Sequence, residues 1–327
     1  MNKIKFAVIA CSKVANDRFI PVLLKSNLAK LEFIASRDKD KAKMYAEKFG
    51  CKKYGNYNDA FSDPNIDAVY ISTPIIHKKE WALKSALFNK HAIVEKPAFL
   101  NLDDSIEVLN IFKTKKLHFF ENWMFKCHPQ HIEFKKLLNG NNFGRIKYFS
   151  SQFTYPTPAD GDIRLNPKLK GGVFYDSIGY PVAASLMIIN EKPISVMCSM
   201  SKNKTYGVDD FVKIQLKFEK SVYADLLSGF GIHYKSTYST FCERGILTAN
   251  RAFAIDSRTR PTITINSDKG ERIVELSKAD QFMLMIDSFC NDIKSNKIGQ
   301  NIEEILLQQK IIDVAYLSSF KKSVINI

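Results

Sequence analysis

The sequence predicts an α/β chain in two parts: residues 1–121 as a doubly wound parallel sheet, and residues 122–327 as an α+β domain with a large, mostly antiparallel open sheet. Three observations carry this reading. Up to residue 121 short apolar runs alternate with helical patterns, an order of βαβ units that demands a parallel sheet. Several of these runs are apolar at every residue, as strands covered on both faces should be. Past Asn122 the runs alternate apolar with polar residues, the mark of antiparallel strands.

Taken in order, Lys5 to Ala10 reads as a strand, Ala15 to Ser26 as a helix and Leu31 to Ser36 as a strand. Lys39 to Phe49 is a helix, with Ala42, Tyr45, Ala46 and Phe49 on one face. A short helix follows over Asn58 to Phe61, then a strand over Ala68 to Ser72 and a helix over His77 to Phe88. His91 to Glu95, Asp103 to Lys115 and Leu117 to Glu121 complete the first part as strand, helix and strand. In the second part Phe134 to Leu138 belongs to a helix, and Gly171-Gly172 leads another to about Ile189. Seven strands are expected after it, over 194–201, 211–218, 221–229, 236–242, 246–250, 262–266 and 272–276. Helices over 279–296 and 302–320 close the chain.

Composition narrows the function. At 327 residues, 45% hydrophobic and 25% charged, the chain has the make-up of a soluble globular protein with two cores. No run of about 18 apolar residues is present to span a bilayer, and Met1–Ala10 continues directly into a strand-turn-helix pattern, unlike a signal peptide. Six cysteines without a C-x-x-C pair argue against a zinc site and a disulfide framework, which points to the cytoplasm. The net charge of +14 is mostly scattered lysine, without the arginine and aromatic clustering of a nucleic-acid groove. A basic surface suits a phosphorylated cofactor or a nucleotide-linked substrate.

The turn after the first strand is where a dinucleotide's pyrophosphate would rest, and a Rossmann strand normally enters it with G-x-G-x-x-G/A. Here the frame reads Ala10-Cys11-Ser12-Lys13-Val14-Ala15, so only the small third position survives. Ser12 can donate to a phosphate at the helix N-terminus, with Lys13 and Arg18 adding charge, or the segment is an ordinary βα turn. The second strand ends Ala35-Ser36-Arg37-Asp38. An acidic residue there serves the ribose of NAD, whereas an arginine fork suits the 2′-phosphate of NADP. Ser36 and Arg37, with Lys41 as a second contact, favour NADP(H) over NAD(H); the alternative is a surface pair between Arg37 and Asp38.

Four ordered motifs stand beyond this turn: Ser72-Thr73-Pro74 followed by His77; Glu95-Lys96-Pro97; Glu121-Asn122-Trp123 through Pro129-Gln130; and Asp162 to Arg164 ahead of the glycine-led segment Gly171 to Tyr180. With these the chain resembles the Gfo/Idh/MocA oxidoreductases, the group of glucose-fructose oxidoreductase and inositol dehydrogenase. The resemblance implies hydride transfer between a bound nicotinamide and a sugar-like alcohol or ketone, with Lys96 next to the reacting oxygen. It implies a cofactor site at Ala10, Ser12, Lys13, Val14, Ser36, Arg37 and Lys41, together with Thr73, Pro74, His77, Glu95, Lys96 and Asn122. His77 either caps its helix or lines the nicotinamide pocket.

Asp176 and Tyr180 are spaced i, i+4, so a continuous helix projects both from one face. With the resemblance Tyr180 is the expected acid/base, since an adjacent ammonium favours the phenolate, the alternative being a core-packing tyrosine; Lys96 is its electrostatic partner and orients the substrate, and Asp176 anchors hydroxyls or Lys96. Trp123, Lys126 and Arg164 complete the expected substrate site. Lys126 replaces an arginine usual in the family, which loses a bidentate fork, and Arg164 meets either a substrate anion or a salt bridge at the domain interface. No metal is expected, because His128 and His131 lack acidic companions at ligand spacing. The leading expectation is a cytoplasmic NADP-dependent sugar or sugar-nucleotide ketoreductase, a homodimer or homotetramer formed through the C-terminal sheet, with no nucleic-acid or membrane partner. The alternatives are a dehydrogenase of free sugars, inositols or dihydrodiols, and a non-catalytic cofactor-binding relative.

Overall fold

Strands that are apolar on every residue need cover on both faces, and the first half of the chain supplies it. The computed structural model describes residues 2–140, 143–299 and 301–327. They divide into two units, one running to Met124 and including Phe282–Leu306, the other comprising Phe125–Gln281 and Leu307–Ile327.

In the first unit the chain forms β1 (Ile4–Ile9), α1 (Ile20–Leu23), β2 (Ala29–Ala35), α2 (Lys39–Phe49), β3 (Lys53–Gly55), α3 (Tyr57–Ser62), β4 (Ala68–Ile71), α4 (Ile75–Leu87), β5 (His91–Glu95), α5 (Leu102–Thr114) and β6 (Phe119–Asn122). The six strands are parallel, in the order β3-β2-β1-β4-β5-β6. The order reverses between β1 and β4, and the carboxyl ends of those two strands form the topological switch point where such sheets bind ligands. Every residue of β4 is buried. The core gathers Ile9, Val69, Ile71 and Val94 with Phe99 and Phe112, and Ile302 and Ile305 from the chain's end join it.

Two differences from the sequence expectation appear here. The first helix is split, since Ala15–Phe19 is wound as a π-helix before α1. Pro21 explains the wide turn: it has no N–H to donate, and its ring crowds the carbonyl four residues back. β3 was not foreseen, because three residues carry too little pattern to register.

The second unit holds α6 (Pro129–Gly140), β7 (Ile146–Tyr155), α7 (Val173–Asp176), α8 (Gly179–Ile189), β8 (Pro193–Lys202), β9 (Asp209–Phe218), β10 (Tyr223–Phe230), β11 (Lys235–Cys242), β12 (Gly245–Asn250), β13 (Thr262–Ser267), β14 (Gly270–Glu275) and, at the chain's end, β15 (Ile325–Asn326). Helices α9 (Gln281–Lys294) and α10 (Ile302–Lys321) lie between β14 and β15 in sequence. The sheet runs β14-β13-β12-β11-β7-β10-β9-β8-β15 and is antiparallel except where β7 meets β10. β7 sits inside this sheet although its sequence does not announce it, because Ser150-Ser151-Gln152 interrupts the apolar alternation.

The single helix expected after Gly171-Gly172 is two helices. Ser177 between them has φ −134° and ψ −23°, and Pro181 forbids a straight continuation because its ring would meet the Ser177 carbonyl. The stretch Pro167–Ile189 is apolar and long enough to cross a membrane by composition, but 83% of its window is buried inside the structure.

Three buried histidines predict an acid-sensitive fold. Burial holds His118 and His128 down at about 4 and His131 at about 3. A histidine in an unfolded chain titrates near ~6.5, so below that pH the unfolded state takes up protons that the folded state refuses, and stability falls as pH drops towards the folded values. The raised carboxyls of Asp209, at about 6, and Asp292 act in the opposite sense. Each group contributes up to about 1.4 kcal/mol per pH unit, so the histidines prevail. The expected result is a melting temperature that declines from about pH 6.5 to about pH 4.5; a flat profile would contradict it.

Candidate active site

The first turn keeps a glycine-like path without glycine. Ala10 has φ 84°, in the left-handed region that disfavours a side chain. Its N–H donates to the Ala35 carbonyl at 3.1 Å, and its carbonyl accepts from Ser72 Oγ at 3.2 Å. Ser12 Oγ accepts from the Ala15 N–H at 3.1 Å and donates to Ser72 Oγ at 2.7 Å. The hydroxyl expected to meet a phosphate is therefore engaged by the helix start and by the end of β4. Lys13 is exposed and Val14 half-buried.

At the end of β2, Ser36 is buried and accepts from the Asp38 N–H at 3.2 Å. Asp38 caps α2, taking the amides of Asp40 and Lys41 at 3.0 and 3.1 Å. Its carboxylate is thus turned to the helix N-terminus, while Arg37 and Lys41 remain exposed. Arg37 lies against Tyr57, whose phenol burial pushes up and the guanidinium draws back. Burial also pushes the Cys11 thiol up to about 11, so the thiol adds no negative charge here.

β4 ends in Ser72-Thr73-Pro74, and Pro74 opens α4. Thr73 Oγ1 is buried and has no hydrogen-bond partner among the described residues, an acceptor and donor left for a ligand at the switch point. His77 is half-buried in the first turn of α4. β5 delivers Glu95-Lys96-Pro97, with the Lys96–Pro97 bond cis. Glu95 points inward, and its Oε1 accepts from Tyr70 Oη and Asn122 Nδ2, both at 2.6 Å. Lys96 is half-buried. Asn122 and Trp123 are buried at the end of β6. These residues fit a dinucleotide: a helix start at the switch point, an orphaned hydroxyl, and exposed cations where a second phosphate would lie.

In the second unit Asp176 is held from two sides. Arg164 Nε and Tyr155 Oη each donate to its Oδ2 at 2.9 Å. Arg164 also bonds Asp162 through Nη1 at 3.0 Å. Both acidic partners belong to Arg164's own unit, so the salt bridge is internal to it. Burial keeps the Tyr155 phenol protonated well above the usual range, with the Asp176 charge adding to the effect. Tyr180 is 4% exposed, and its ring meets Phe125, Phe153 and Phe253 at centroid distances of 5.7, 5.0 and 5.5 Å. Asp176 and Tyr180 stand on α7 and α8, not on one helix face. Lys126 is half-buried in the short turn Met124–Cys127.

Tyr155 and Lys78 escaped the sequence reading. Tyr155 lies at the end of the unforeseen β7. Lys78 carried a signal, since Ile75, Lys78, Ala82, Ser85 and Ala86 follow helical spacing and all are buried.

Two sequence-family models match the chain. One, described as an oxidoreductase family with an NAD-binding Rossmann fold, covers residues 4–122; the other, the GFO/IDH/MocA C-terminal domain, covers 131–248. The chain belongs to the Gfo/Idh/MocA oxidoreductase family. This member is 29% identical to a dTDP-3,4-didehydro-2,6-dideoxy-alpha-D-glucose 3-reductase of Saccharopolyspora spinosa, over 89% of this chain and 88% of that one. It is 25% identical to a D-xylose 1-dehydrogenase (NADP(+)) of Haloferax volcanii, over 96% and 97%. A solved 3-ketoreductase from Actinomadura kijaniata, in complex with NADP and TDP-benzene, matches with a TM-score of 0.92 at 27% identity, over 97% and 98%. That relative has also been solved as a tyrosine-to-phenylalanine variant and as lysine-to-alanine and lysine-to-glutamate variants. The protein is an NAD(P)-dependent oxidoreductase acting on CH–OH groups.

The glycine pair ahead of α7 gives a direct test. Gly172 has φ +102°, and an added Cβ would meet the Asp209 carboxylate, which accepts from the Phe174 N–H at 2.6 Å. Gly172→Ala is expected to lower stability in urea unfolding by about 2 kcal/mol or more, and an unchanged midpoint would contradict this geometry.

Proposed function

We propose that the protein is a cytoplasmic, NADPH-dependent reductase of a keto group on a nucleotide-linked sugar. The observation that carries the cofactor choice is the end of β2, where Arg37 is exposed and the carboxylate next to it in sequence, Asp38, is tied to the start of α2. A 2′-phosphate would find a planar fork there with Lys41 beside it, while the Asp38 carboxylate that could meet a ribose diol is turned to the helix start. The substrate class follows the dTDP-sugar reductases and the TDP-benzene complex, which match over nearly the whole chain. Six free thiols support a reducing compartment.

When bound, the reduced nicotinamide supplies a hydride to the carbonyl carbon. The chain's own residues do the rest. Lys96 places an ammonium on the reacting oxygen, where it stabilises the negative charge that builds up during reduction. Tyr180 gives its phenolic proton to that oxygen and takes it back in the oxidative direction. Its ring is surrounded by three phenylalanines and is 4% exposed, which leaves little room for water around it. Asp176, held by Arg164 and Tyr155, accepts from hydroxyls of the sugar. Copies of the chain associate through the open face of the nine-stranded sheet, where Tyr223 is 48% exposed.

The decisive assay compares NADPH oxidation with a thymidine-diphosphate-linked 3-keto sugar against NADP+ reduction with D-xylose. Turnover of the first supports the reading, and turnover of xylose alone moves the protein to the free-sugar dehydrogenases. Tyr180→Phe is expected to lower kcat by about a hundredfold or more, and near-normal turnover would reject the acid/base role. Arg37→Ala is expected to reduce the preference for NADPH over NADH by about tenfold or more, the scale of a lost charged hydrogen bond; an unchanged ratio of dissociation constants would reject the NADP assignment.

A further inference from the structure

Lys78 is a lysine placed where the fold leaves almost no water. It is the fourth residue of α4, 4% exposed, on the helix face that also buries Ile75 and Ala82. Its ammonium donates to the carbonyls of Glu95, Lys96 and Pro97 at 2.6, 3.3 and 2.9 Å. Topology explains the meeting: α4 starts where β4 ends, at the carboxyl edge of the sheet, and β5 is the neighbouring strand at that edge. Burying an ammonium costs desolvation and rotamer entropy. Packing does not demand that cost, because a methionine would fill the same space. What the ammonium adds is a common direction for three successive carbonyls, and the middle one belongs to Lys96.

We infer that Lys78 is a positioning residue for the redox reaction, fixing the Glu95–Pro97 backbone and with it the point from which the Lys96 side chain departs. The inference rests on the reading of Lys96 as the charge partner of the reacting oxygen. Misplacing such a group by about 1 Å costs on the order of a hundredfold in rate. Three hydrogen bonds to consecutive residues leave the turn little freedom to drift that far.

Lys90 supplies the control. It is 6% exposed and donates to the carbonyls of Asp63 and Ile66 at 2.9 and 2.7 Å, which lie before β4 and not in the turn after β5. Losing either ammonium strands buried carbonyls, so a purely structural role makes Lys78→Met and Lys90→Met behave alike.

The experiment has two arms on the full-length protein. In the first, hydrogen exchange is followed in the peptide covering residues 95–100, without any substrate. Lys78→Met is expected to accelerate exchange there by about tenfold, the scale of one or two lost hydrogen bonds, and Lys90→Met to leave it unchanged. In the second, kcat is measured with NADPH and the thymidine-diphosphate-linked 3-keto sugar. Lys78→Met should lower kcat by about tenfold to a hundredfold with NADPH affinity within about threefold of native, whereas Lys90→Met should stay near native. In a Lys96→Met background the second substitution should add less than about threefold, because both act through one side chain. Equal behaviour of the two lysine variants, or fully multiplicative losses with Lys96→Met, overturns the inference. If Lys96→Met alone is without effect, the reading of Lys96 fails and takes the inference with it. If the native protein does not turn over the probe, the substrate assignment fails and the exchange arm decides. Should Lys78→Met not fold, Lys78→Arg takes its place: it retains donors and is expected to keep the exchange protection and most of kcat, and loss of both overturns the proposal.

Discussion

The carboxyl edge of the first sheet depends on one buried carboxylate oxygen. Glu95 Oε1 takes hydrogen bonds from Tyr70 on β4 and Asn122 on β6, so side chains of three neighbouring strands meet at a single atom. Removing a carboxylate from water costs several kcal/mol unless such donors replace the solvent. With Glu95 held inward at the last position of β5, Lys96 follows half-buried in the turn that leaves the strand. Tyr70 carries the constraint further, since its ring stacks on Phe19 with centroids 3.6 Å apart, and Phe19 belongs to the segment that follows the first turn.

The second unit solves a related problem with different means. Asp176 ends a helix of four residues, too short to hold a side chain in place by itself. Arg164 and Tyr155 grip the carboxylate, while the Asp209 carboxylate caps the other end of the same helix. Glycine at 171 and 172 is what permits this density: the Arg164 carbonyl crowds the first and the Asp209 carboxylate the second, so neither position has room for a Cβ. A short helix carrying a functional acid is thus defined by its neighbours and not by helical propensity.

That distinction separates what the sequence discloses from what it hides. Five of the six parallel strands are readable from their apolar runs, β3 being too short and too polar to register, and Lys39–Phe49 and His91–Glu95 end where their caps and breakers say. The motifs carrying Lys96, Asp176 and Tyr180 are readable as patterns of residue type. Partner assignments are not, since they depend on which distant side chain arrives. The pairing of Arg164 with Asp176 needs the turn at 163–165 to fold back across the glycine pair, and Tyr155 needs β7, whose serines and glutamine break its periodicity. The expectation of one helix through Asp176 and Tyr180 failed for a local reason, since Pro181 was present in the sequence and its clash with the Ser177 carbonyl was the deciding signal.

The first turn shows why a fingerprint and the geometry behind it are separable. Glycines there are a means of obtaining a left-handed backbone and a close approach, and Ala10 reaches φ 84° without them. A left-handed alanine costs roughly 1–2 kcal/mol. Against this stand the bonds that hold the residue: its N–H to Ala35, its carbonyl to Ser72, and the Ser12 hydroxyl bridging Ser72 to the helix start. Two or three such bonds at about 1 kcal/mol each are enough to offset the strain. Ser12 and Ser72 together therefore do in this chain what the missing glycines do elsewhere, and they do it by tying β1 to β4 at the point where the sheet changes direction.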